Sequence, residues 1–183
     1  HLQAGKLTMK SLNFSPPRII LLCMAVFTSC MASAEVITVN TNTDTGSAPE
    51  ACELRSAIDA ANTDLAVDSC LAGSGADTIV FSNEGIISLS RDLPDIVESL
   101  VIQGTGFAST RIDGGGEFHQ FNFVSGSGDH ELRDLGLAKG YSAGTGGCVR
   151  TEATSLLIEN VVMSKCQAFG AVGGALWAFG NTS

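Results

Sequence analysis

The stretch that decides the fold is LRDLGLAKG at residues 132–140, which returns as IENVVMSKC at residues 158–166, an offset of 26 (158 − 132). Both copies alternate apolar and polar residues, as expected for a β-strand with one buried face. Each copy then runs through small residues into a Gly-Gly pair and a short apolar strand, at residues 146–149 and 173–176, and the second pair arrives one residue late. A period in the twenties with glycine-rich corners is typical of a coil of stacked β-strands. The sequence therefore predicts that Leu132 and Ile158 lie on neighbouring strands.

Short strands separated by glycine-rich turns are predicted along most of the chain. They cover residues 36–39, 78–81, 86–89, 100–103, 121–124, 132–137, the neighbourhood of Val149, 156–163 and 175–178. The connections are too short for βαβ units, which disfavours a doubly wound sheet. A β-sandwich would fit the number of strands but not the repeat. The pattern favours an all-β parallel coil.

One helix is predicted ahead of the coil. Ser47 and Glu50 are spaced as a capping box, and Pro49 is tolerated in a first turn. The residues that share one apolar face are Leu54, Ala57, Ile58 and Ala61, before Asn62. Because an uncovered end of a β-coil exposes apolar side chains and unpaired backbone groups, we expect this helix to cap the first turn.

The first residues resemble an export signal. Met9 begins a segment with two basic residues, an apolar run at 19–27 and the small-residue sequence Ala32-Ser33-Ala34, which places the mature start near Glu35. The apolar run is about half of the roughly 20 residues that cross a bilayer, so no transmembrane segment is expected. Lipidation at Cys30 is the alternative.

Three regions follow from these patterns. Residues 1–34 are upstream residues plus the signal peptide, residues 35–76 form a cap with the helix, and residues 77–183 form the coil. Residues 1–8 precede Met9 and do not enter the fold argument. The coil ends at Ser183 without a capping pattern, so we expect a coil truncated at its C-terminus.

The charge restricts the partners. The chain has 10 Lys plus Arg against 19 Asp plus Glu; without residues 1–34, which hold Lys6, Lys10 and Arg18, the balance is 7 − 19 = −12. Such a surface repels nucleic acid and anionic lipid, which excludes a nucleic-acid partner. Carbohydrate or cell-surface partners remain as candidates. No cofactor is expected, and calcium is the one metal considered.

Four cysteines remain after the predicted cleavage. An even number in an exported chain favours disulfides, and no CxxC pair indicates zinc. The order along the chain predicts Cys52 with Cys70 and Cys148 with Cys166.

The helix sequence CELRSAIDAAN at residues 52–62 resembles the Cys-Ser-Leu-Arg-Glu-Ala-Ile motif of the CSLREA-domain family of exported bacterial proteins. The residues that carry the resemblance are Cys52, Leu54, Arg55, Ala57, Ile58, Ala61 and Asn62. GGAL at residues 173–176 resembles repeats of polymorphic outer membrane proteins and other pectin-lyase-like surface proteins. The resemblance implies a right-handed parallel β-helix with an N-terminal capping α-helix, on a secreted or envelope protein, without a uniform activity.

Two positions depart from the family motif. Glu53 stands where the family has Ser, and Ser56 stands where it has Glu. If Arg55 normally pairs with that Glu, its partner in this chain must lie elsewhere, and Glu53 and Asp59 are the candidates.

The most chemically suggestive cluster in the coil is His130, Glu131, Arg133, Asp134 and Lys139. Parallel β-helix lyases combine acidic calcium ligands with a basic proton acceptor. However, Asp134 and Lys139 are echoed by Asn160 and Lys165, so a corner ladder with a solvated face is favoured over a lyase site, which requires several converging carboxylates.

The other candidates favour structural roles. His119 beside Phe118 is interpreted as a partly buried core or edge residue. Asp92 and Asp95 flank Pro94 in a predicted turn, which disfavours a glycosidase pair.

Two loops and one aromatic residue complete the set. The loop at 40–44 could offer oxygen ligands to calcium but lacks the EF-hand pattern, and the glycine stretches 104–106 and 114–116 lack the features of a phosphate loop. Trp177 could stack on a sugar, although packing is favoured.

The predicted function is a secreted or cell-envelope β-helix scaffold of the adhesin type, without catalysis. The alternative is part of a carbohydrate-active enzyme, a polysaccharide lyase or hydrolase. Turnover of a polysaccharide would distinguish the two.

Overall fold

The computed structural model describes residues 34–170 and 173–179. The expected signal peptide and Cys30 lie outside these residues. The elements are β1 Val36–Val39, α1 Leu54–Thr63, β2 Asp77–Phe81, β3 Gly85–Ser88, β4 Leu100–Gln103, β5 Thr110–Asp113, β6 Phe121–Phe123, β7 Asp129–Arg133, β8 Gly136–Ala138, β9 Tyr141–Ser142, β10 Val149–Thr151, β11 Ser155–Glu159, β12 Val162–Ser164, β13 Gln167–Ala168 and β14 Leu176–Ala178.

The strands form a parallel β-helix of about four turns. We call the first sheet, in the order β1-β2-β4-β7-β11, sheet A; the second, β3-β5-β8-β12, sheet B; and the third, β6-β10-β14, sheet C. A short fourth sheet pairs β9 with β13. Turns 1 to 4 begin at β2, β4, β7 and β11, and every pairing between named strands is parallel. The expected all-β parallel coil is confirmed.

The repeat found in the sequence is the rise from turn 3 to turn 4. Leu132 on β7 lies opposite Ile158 on β11, an offset of 26, whereas Val149 on β10 lies opposite Leu176 on β14, an offset of 27. Along sheet A the earlier turns are less regular: the offset is 23 from β2 to β4 (100 − 77) and 30 from β4 to β7 (130 − 100). Along sheet B the offset is nearly constant, at 25 from β3 to β5 (110 − 85), 25 from β5 to β8 (136 − 111) and 26 from β8 to β12 (162 − 136).

Three columns of inward-facing side chains fill the coil. Each column takes one apolar residue from each strand of its sheet at the same register position. The columns are Ile37–Ile79–Ile102–Leu132–Ile158, Ile87–Ile112–Leu137–Met163 and Phe121–Val149–Leu176. Full burial of one such side chain is worth roughly 1.5–3 kcal/mol. Leu176 is 39% exposed, because within the described residues β14 pairs with β10 alone.

Two expected strands are each divided by a corner. The prediction of one strand over 132–137 is wrong, because Asp134 has φ 51° and separates β7 from β8; Asn160, with φ 52°, likewise divides 156–163. A left-handed residue cannot continue a strand, and Asp and Asn tolerate this conformation better than most residues. The Asn160 amide donates to the Asp134 carboxylate one turn below, so the expected corner ladder is confirmed. Strands β5, β9 and β13 were not predicted.

The helix starts later than its sequence signals suggest. Glu53, in extended conformation, is the N-cap residue, and its side chain makes no capping hydrogen bond, so the capping box at Ser47 and Glu50 is wrong. The reason is that Cys52 exchanges hydrogen bonds with Asn40 at the end of β1, its N–H donating to Oδ1 and its C=O accepting from the Asn40 N–H. Helical geometry therefore begins only after residue 52.

The helix caps the coil as expected. The expected apolar face of Leu54, Ala57, Ile58 and Ala61 is buried, and Ala60 is buried beside it. It packs against β1 and β2, the first two strands of sheet A. The helix ends at Asp64, which is left-handed with φ 53°.

Candidate functional site

The most strongly bonded polar cluster joins the helix to the coil through Arg55. Its Nε and Nη2 donate to the two carboxylate oxygens of Asp44, each at 2.9 Å, in the bidentate geometry that arginine favours. The same guanidinium donates to the carbonyls of Arg91, at 3.0 Å, and Asp92, after β3. Both charged side chains are at most 5% exposed. Arg55 thus fastens the helix, the 40–46 loop and turn 1 together.

Asp44 is the partner that the sequence did not identify. Glu53 and Asp59 were the expected partners of Arg55, and both expectations are wrong as to the ion pair. Ser90 adds hydrogen bonds to Asp44 Oδ2 from its N–H at 2.7 Å and its hydroxyl at 3.0 Å. Burial alone would raise the pKa of Asp44, but the bonds from Arg55 and Ser90 and the Arg55 charge outweigh it and lower the pKa. A buried arginine on a helix requires a carboxylate partner, and this requirement was the signal in the sequence that could have led to Asp44.

Glu53 stabilises the 40–46 loop of the same cap. Its Oε1 accepts from the Thr45 N–H at 2.9 Å and from the hydroxyls of Thr43 and Thr45, and its Oε2 accepts from the Gly46 N–H at 2.8 Å. These bonds lower its pKa although burial opposes them. Ser56 donates to Asp68 at 2.6 Å. Both departures from the family motif therefore have bonded partners, and both side chains are buried.

Two disulfides fasten the two ends of the described chain. Cys52–Cys70 joins a residue just before the N-cap of the helix to the segment after the helix, with 4.7 Å between the Cα atoms. Cys148–Cys166 joins the residue before β10 to the residue before β13, across turns 3 and 4, with 5.4 Å between the Cα atoms. Both predicted pairings are confirmed.

His130 points into the coil. Its Nδ1 accepts from the Leu100 N–H at 3.1 Å, and its Nε2 lies 2.8 Å from the Ser127 hydroxyl. Its ring also packs on Phe123, with the centroids 4.6 Å apart. Burial lowers its pKa to about 4, so the ring is neutral at physiological pH. The structure thus separates His130 from the lyase-like cluster, whose other members face outward or lie at corners.

The remaining members of that cluster form local pairs. On the outer face of sheet A, Arg133 contacts Glu131 at 2.6 Å and Glu159 at 3.6 Å. Lys139 donates to Asp113 at 2.8 Å, on sheet B. The hydrogen bond from Lys139 lowers the pKa of Asp113, although burial opposes it. The structure does not bring these residues to one centre.

His119 lies at a seam between turns. Its backbone N–H donates to the Asp92 carboxylate at 2.7 Å, and its ring Nε2 lies 2.7 Å from the Gly146 carbonyl oxygen. Burial lowers its pKa. Asp95 accepts from the Asn122 amide at 2.6 Å, so both aspartates join turn 1 to turn 2. The ring is partly buried, as the sequence suggested.

The remaining candidates also take structural positions. In the 40–44 loop, Asp44 directs both carboxylate oxygens to Arg55. Gly104 and Gly114 lie where a side chain would collide with the backbone of the next turn, 2.2 Å from the Asp134 oxygen and 2.8 Å from the Lys139 oxygen. Trp177 faces outward on sheet C, with its ring 5.4 Å from the Arg150 guanidinium carbon and stacked near Phe179.

A groove lies on the outer face of sheet B. It encloses about 280 Å³. Its lining comprises Phe107, Ala108, Arg111, Gly136, Leu137, Val162 and Ser164. Sequence reasoning missed it, because β5 was not predicted and Gly136 was treated as part of an uninterrupted strand.

Two further observations concern metal and membrane. The described residues contain no group of three or more His, Cys, Asp or Glu side chains arranged to hold a metal ion. Within the same residues, no helix has the length and hydropathy to cross a bilayer.

No protein-family model matches the chain, nor does any curated protein or solved structure.

Proposed function

We propose that this chain is a capped β-helix scaffold of an exported protein, displayed on the cell envelope or secreted, and that it does not catalyse a reaction. The observation that carries the proposal is how its charged groups are used. Arg55 and Asp44 join the cap to turn 1, Glu53 holds the 40–46 loop within the cap, and His130 lies in the core. These groups stabilise the stack and are not directed at a shared cavity.

The outer face of sheet A supports the same proposal. Glu131, Arg133 and Glu159 alternate in sign and contact one another on neighbouring strands. A lyase or hydrolase centre requires carboxylates that converge on one reacting group. A row of paired opposite charges instead keeps an exposed β-face soluble and discourages edge-to-edge association.

The disulfides support export. Such bonds persist in oxidising compartments and are rare in the cytosol. Membership of the CSLREA-domain family belongs to the same proposal and rests on the residues of the helix, with Arg55 anchoring the cap as a residue of that motif would.

The catalytic alternative is tested by incubating the purified protein with acidic and neutral polysaccharides, with and without calcium. We expect no unsaturated or reducing-end products above the level of a heat-unfolded control. Calcium-dependent turnover that disappears in Glu131→Gln but persists in Glu117→Gln, at an exposed loop position away from that cluster, would overturn the scaffold proposal. Export is tested by fusing residues 1–34 to a reporter that is active only outside the cytoplasm. A silent fusion would contradict the localisation.

A further inference from the structure

We infer that the groove on the outer face of sheet B is a binding site for a small carboxylate that carries an aromatic ring or a short acyl chain. We call it the Gly136 groove, after the residue at its floor. The inference is independent of the scaffold function, because it concerns a separate surface. It rests on three features: a missing side chain, apolar walls and an arginine.

Gly136 allows one wall of the groove to form because it lacks a side chain. The outward positions across sheet B are Ile86, Arg111, Gly136 and Val162, in register on β3, β5, β8 and β12. A Cβ at Gly136 would lie 2.5 Å from the Phe107 carbonyl oxygen and 3.1 Å from the Arg111 Cγ. Glycine at this position therefore lets the 104–109 loop approach the sheet, and the notch is the space that remains between this loop, Arg111 and Val162.

Apolar side chains form two walls of the notch. Phe107 and Val162 are each 46% exposed. An aromatic ring or a short alkyl chain placed between them would remove apolar surface from water on both sides. The volume of about 280 Å³ lies just below the range of roughly 300–1,000 Å³ that is usual for ligand sites, so the ligand must be small.

Arg111 supplies the charge at the edge of the notch. Among the described residues it makes no ion pair, whereas Arg55, Arg133, Lys139 and Arg150 each contact a carboxylate. The nearby Asp113 binds Lys139 at 2.8 Å, and the Arg111 charge acts on Asp113 without a direct contact and helps to lower its pKa. None of the residues that line the groove is acidic. In a mature chain with a net charge of −12, this groove is thus a local site where an anion meets a planar, bidentate donor.

These features together specify the ligand. A carboxylate binds Arg111, and the attached ring or acyl chain contacts Phe107 and Val162. A neutral ring would leave the guanidinium without a partner. A bare anion such as acetate would leave the apolar walls in water.

The test uses 3-phenylpropionate as the probe and 3-phenylpropanol as its uncharged match, followed by NMR titration of the ¹⁵N-labelled protein. We expect saturable shifts centred on Gly136 and Val162 for the carboxylate, with a dissociation constant in the millimolar range that is ordinary for a ligand of this size. Arg111→Gln should weaken binding at least about tenfold, as the loss of a charge-assisted hydrogen bond implies.

The controls separate this site from general effects. Arg133→Gln removes a cation from sheet A and should leave the affinity unchanged. Val162→Asp changes an exposed position and should weaken binding without altering Arg111, which provides a second variant if Arg111→Gln unfolds. Equal binding of the alcohol, equal binding of acetate, or unchanged affinity in both groove variants would overturn the inference, as would an absence of saturable shifts.

Discussion

Two regions of the molecule hold parallel strands in register in different ways. One is the cap together with turn 1, and the other is the pair of turns 3 and 4. Between β1 and β2 the chain makes an excursion of 42 residues (78 − 36), which Arg55, Glu53 and a disulfide hold in place. Between turns 3 and 4 the rise is 26 or 27 residues, and the stack is held by columns of apolar side chains, left-handed corners and the Cys148–Cys166 disulfide. Both regions have a disulfide, so they differ in their other contacts: the irregular region uses buried charged groups with specific partners, whereas the regular region relies on repeated apolar side chains and corners.

This contrast predicts that loss of one charged group affects the cap most. In Arg55→Met, Asp44 remains buried without its partner, and the carbonyls of Arg91 and Asp92 lose their donor. We expect a loss of about 3–5 kcal/mol in the free energy of unfolding, measured by urea denaturation. Arg133→Gln, at an exposed pair on sheet A, should cost less than about 1 kcal/mol. Equal losses in the two variants would contradict the contrast.

A double variant separates the cost of the unpaired Asp44 charge from the cost of the hydrogen bonds that Arg55 makes to turn 1. Asp44→Asn together with Arg55→Met removes both charges, so it should be more stable than Arg55→Met alone, because no uncompensated buried carboxylate remains. If the double variant is less stable than the single variant, the cost lies in the bonds to turn 1 and not in the Asp44 charge.

The two disulfides provide a matched comparison. Each joins cysteines 18 residues apart, so the loop-closure model assigns each about 3 kcal/mol of stabilisation. We expect Cys52→Ala/Cys70→Ala and Cys148→Ala/Cys166→Ala to show similar losses in chemical denaturation. If removal of Cys52–Cys70 costs over about 1 kcal/mol more than removal of Cys148–Cys166, the first disulfide stabilises the folded cap directly, in addition to restricting the unfolded chain.

His130 predicts the response of the coil to acid. Its folded pKa of about 4 lies below its ordinary value of 6.5. A depressed pKa means that the unfolded chain binds more protons between these values, so the stability is present above pH 6.5 and is lost as the pH falls towards 4. We expect a loss of about 2–3 kcal/mol from this residue over that window.

The measurement is the free energy of unfolding from pH 7 to pH 4, compared between the wild type and His130→Phe. The variant leaves the Leu100 N–H without its acceptor, so it is less stable at neutral pH, but its pH slope in this window should be shallower. Asp44 and Glu53 have lowered pKa values and lose their contribution at more acidic pH in both proteins. Parallel slopes would show that His130 is not buried as a neutral ring.

The smallest predicted effects concern the corners. Lys139 and Lys165 occupy equivalent left-handed positions with φ 51° and 56°, where glycine avoids the steric cost of a side chain. We expect Lys165→Gly to change the stability by less than about 1 kcal/mol, in the stabilising direction. Lys139→Gly gains the same relief but loses its pair with Asp113, so its melting temperature should lie at or below that of Lys165→Gly. The reverse order would contradict a corner role.

Several features could be predicted because they repeat or follow local rules. The echo of residues 132–140 at 158–166 predicted which strands are neighbours, and the order of the cysteines predicted both crosslinks. The sequence did not predict that Asp134 and Asn160 interrupt the strands, because the alternation of apolar residues continues through both corners. Strand β5, with the sequence TRID, was missed because its two apolar-side positions are Thr110 and Ile112, too few for a pattern.

The candidate sites were less predictable than the fold. The sequence grouped His130 with Glu131 and Arg133, yet successive residues of a strand point to opposite faces, so His130 entered the core while its neighbours faced water. Gly136 carried no chemical signal of its own. Its role depends on Phe107 and Arg111, which precede it by 25 residues or more and reach it through the stacking of turns 2 and 3.

The sequence by itself determined that the chain coils, which residues face inward in the last turns and that a helix comes before the coil, because alternation and period are local properties that burial enforces. Only the tertiary structure decided that Arg55 pairs with Asp44, that His130 is neutral inside the coil and that a groove opens over Gly136. Those outcomes depend on how loops of unequal length close against one another. No period in the sequence encodes that closure.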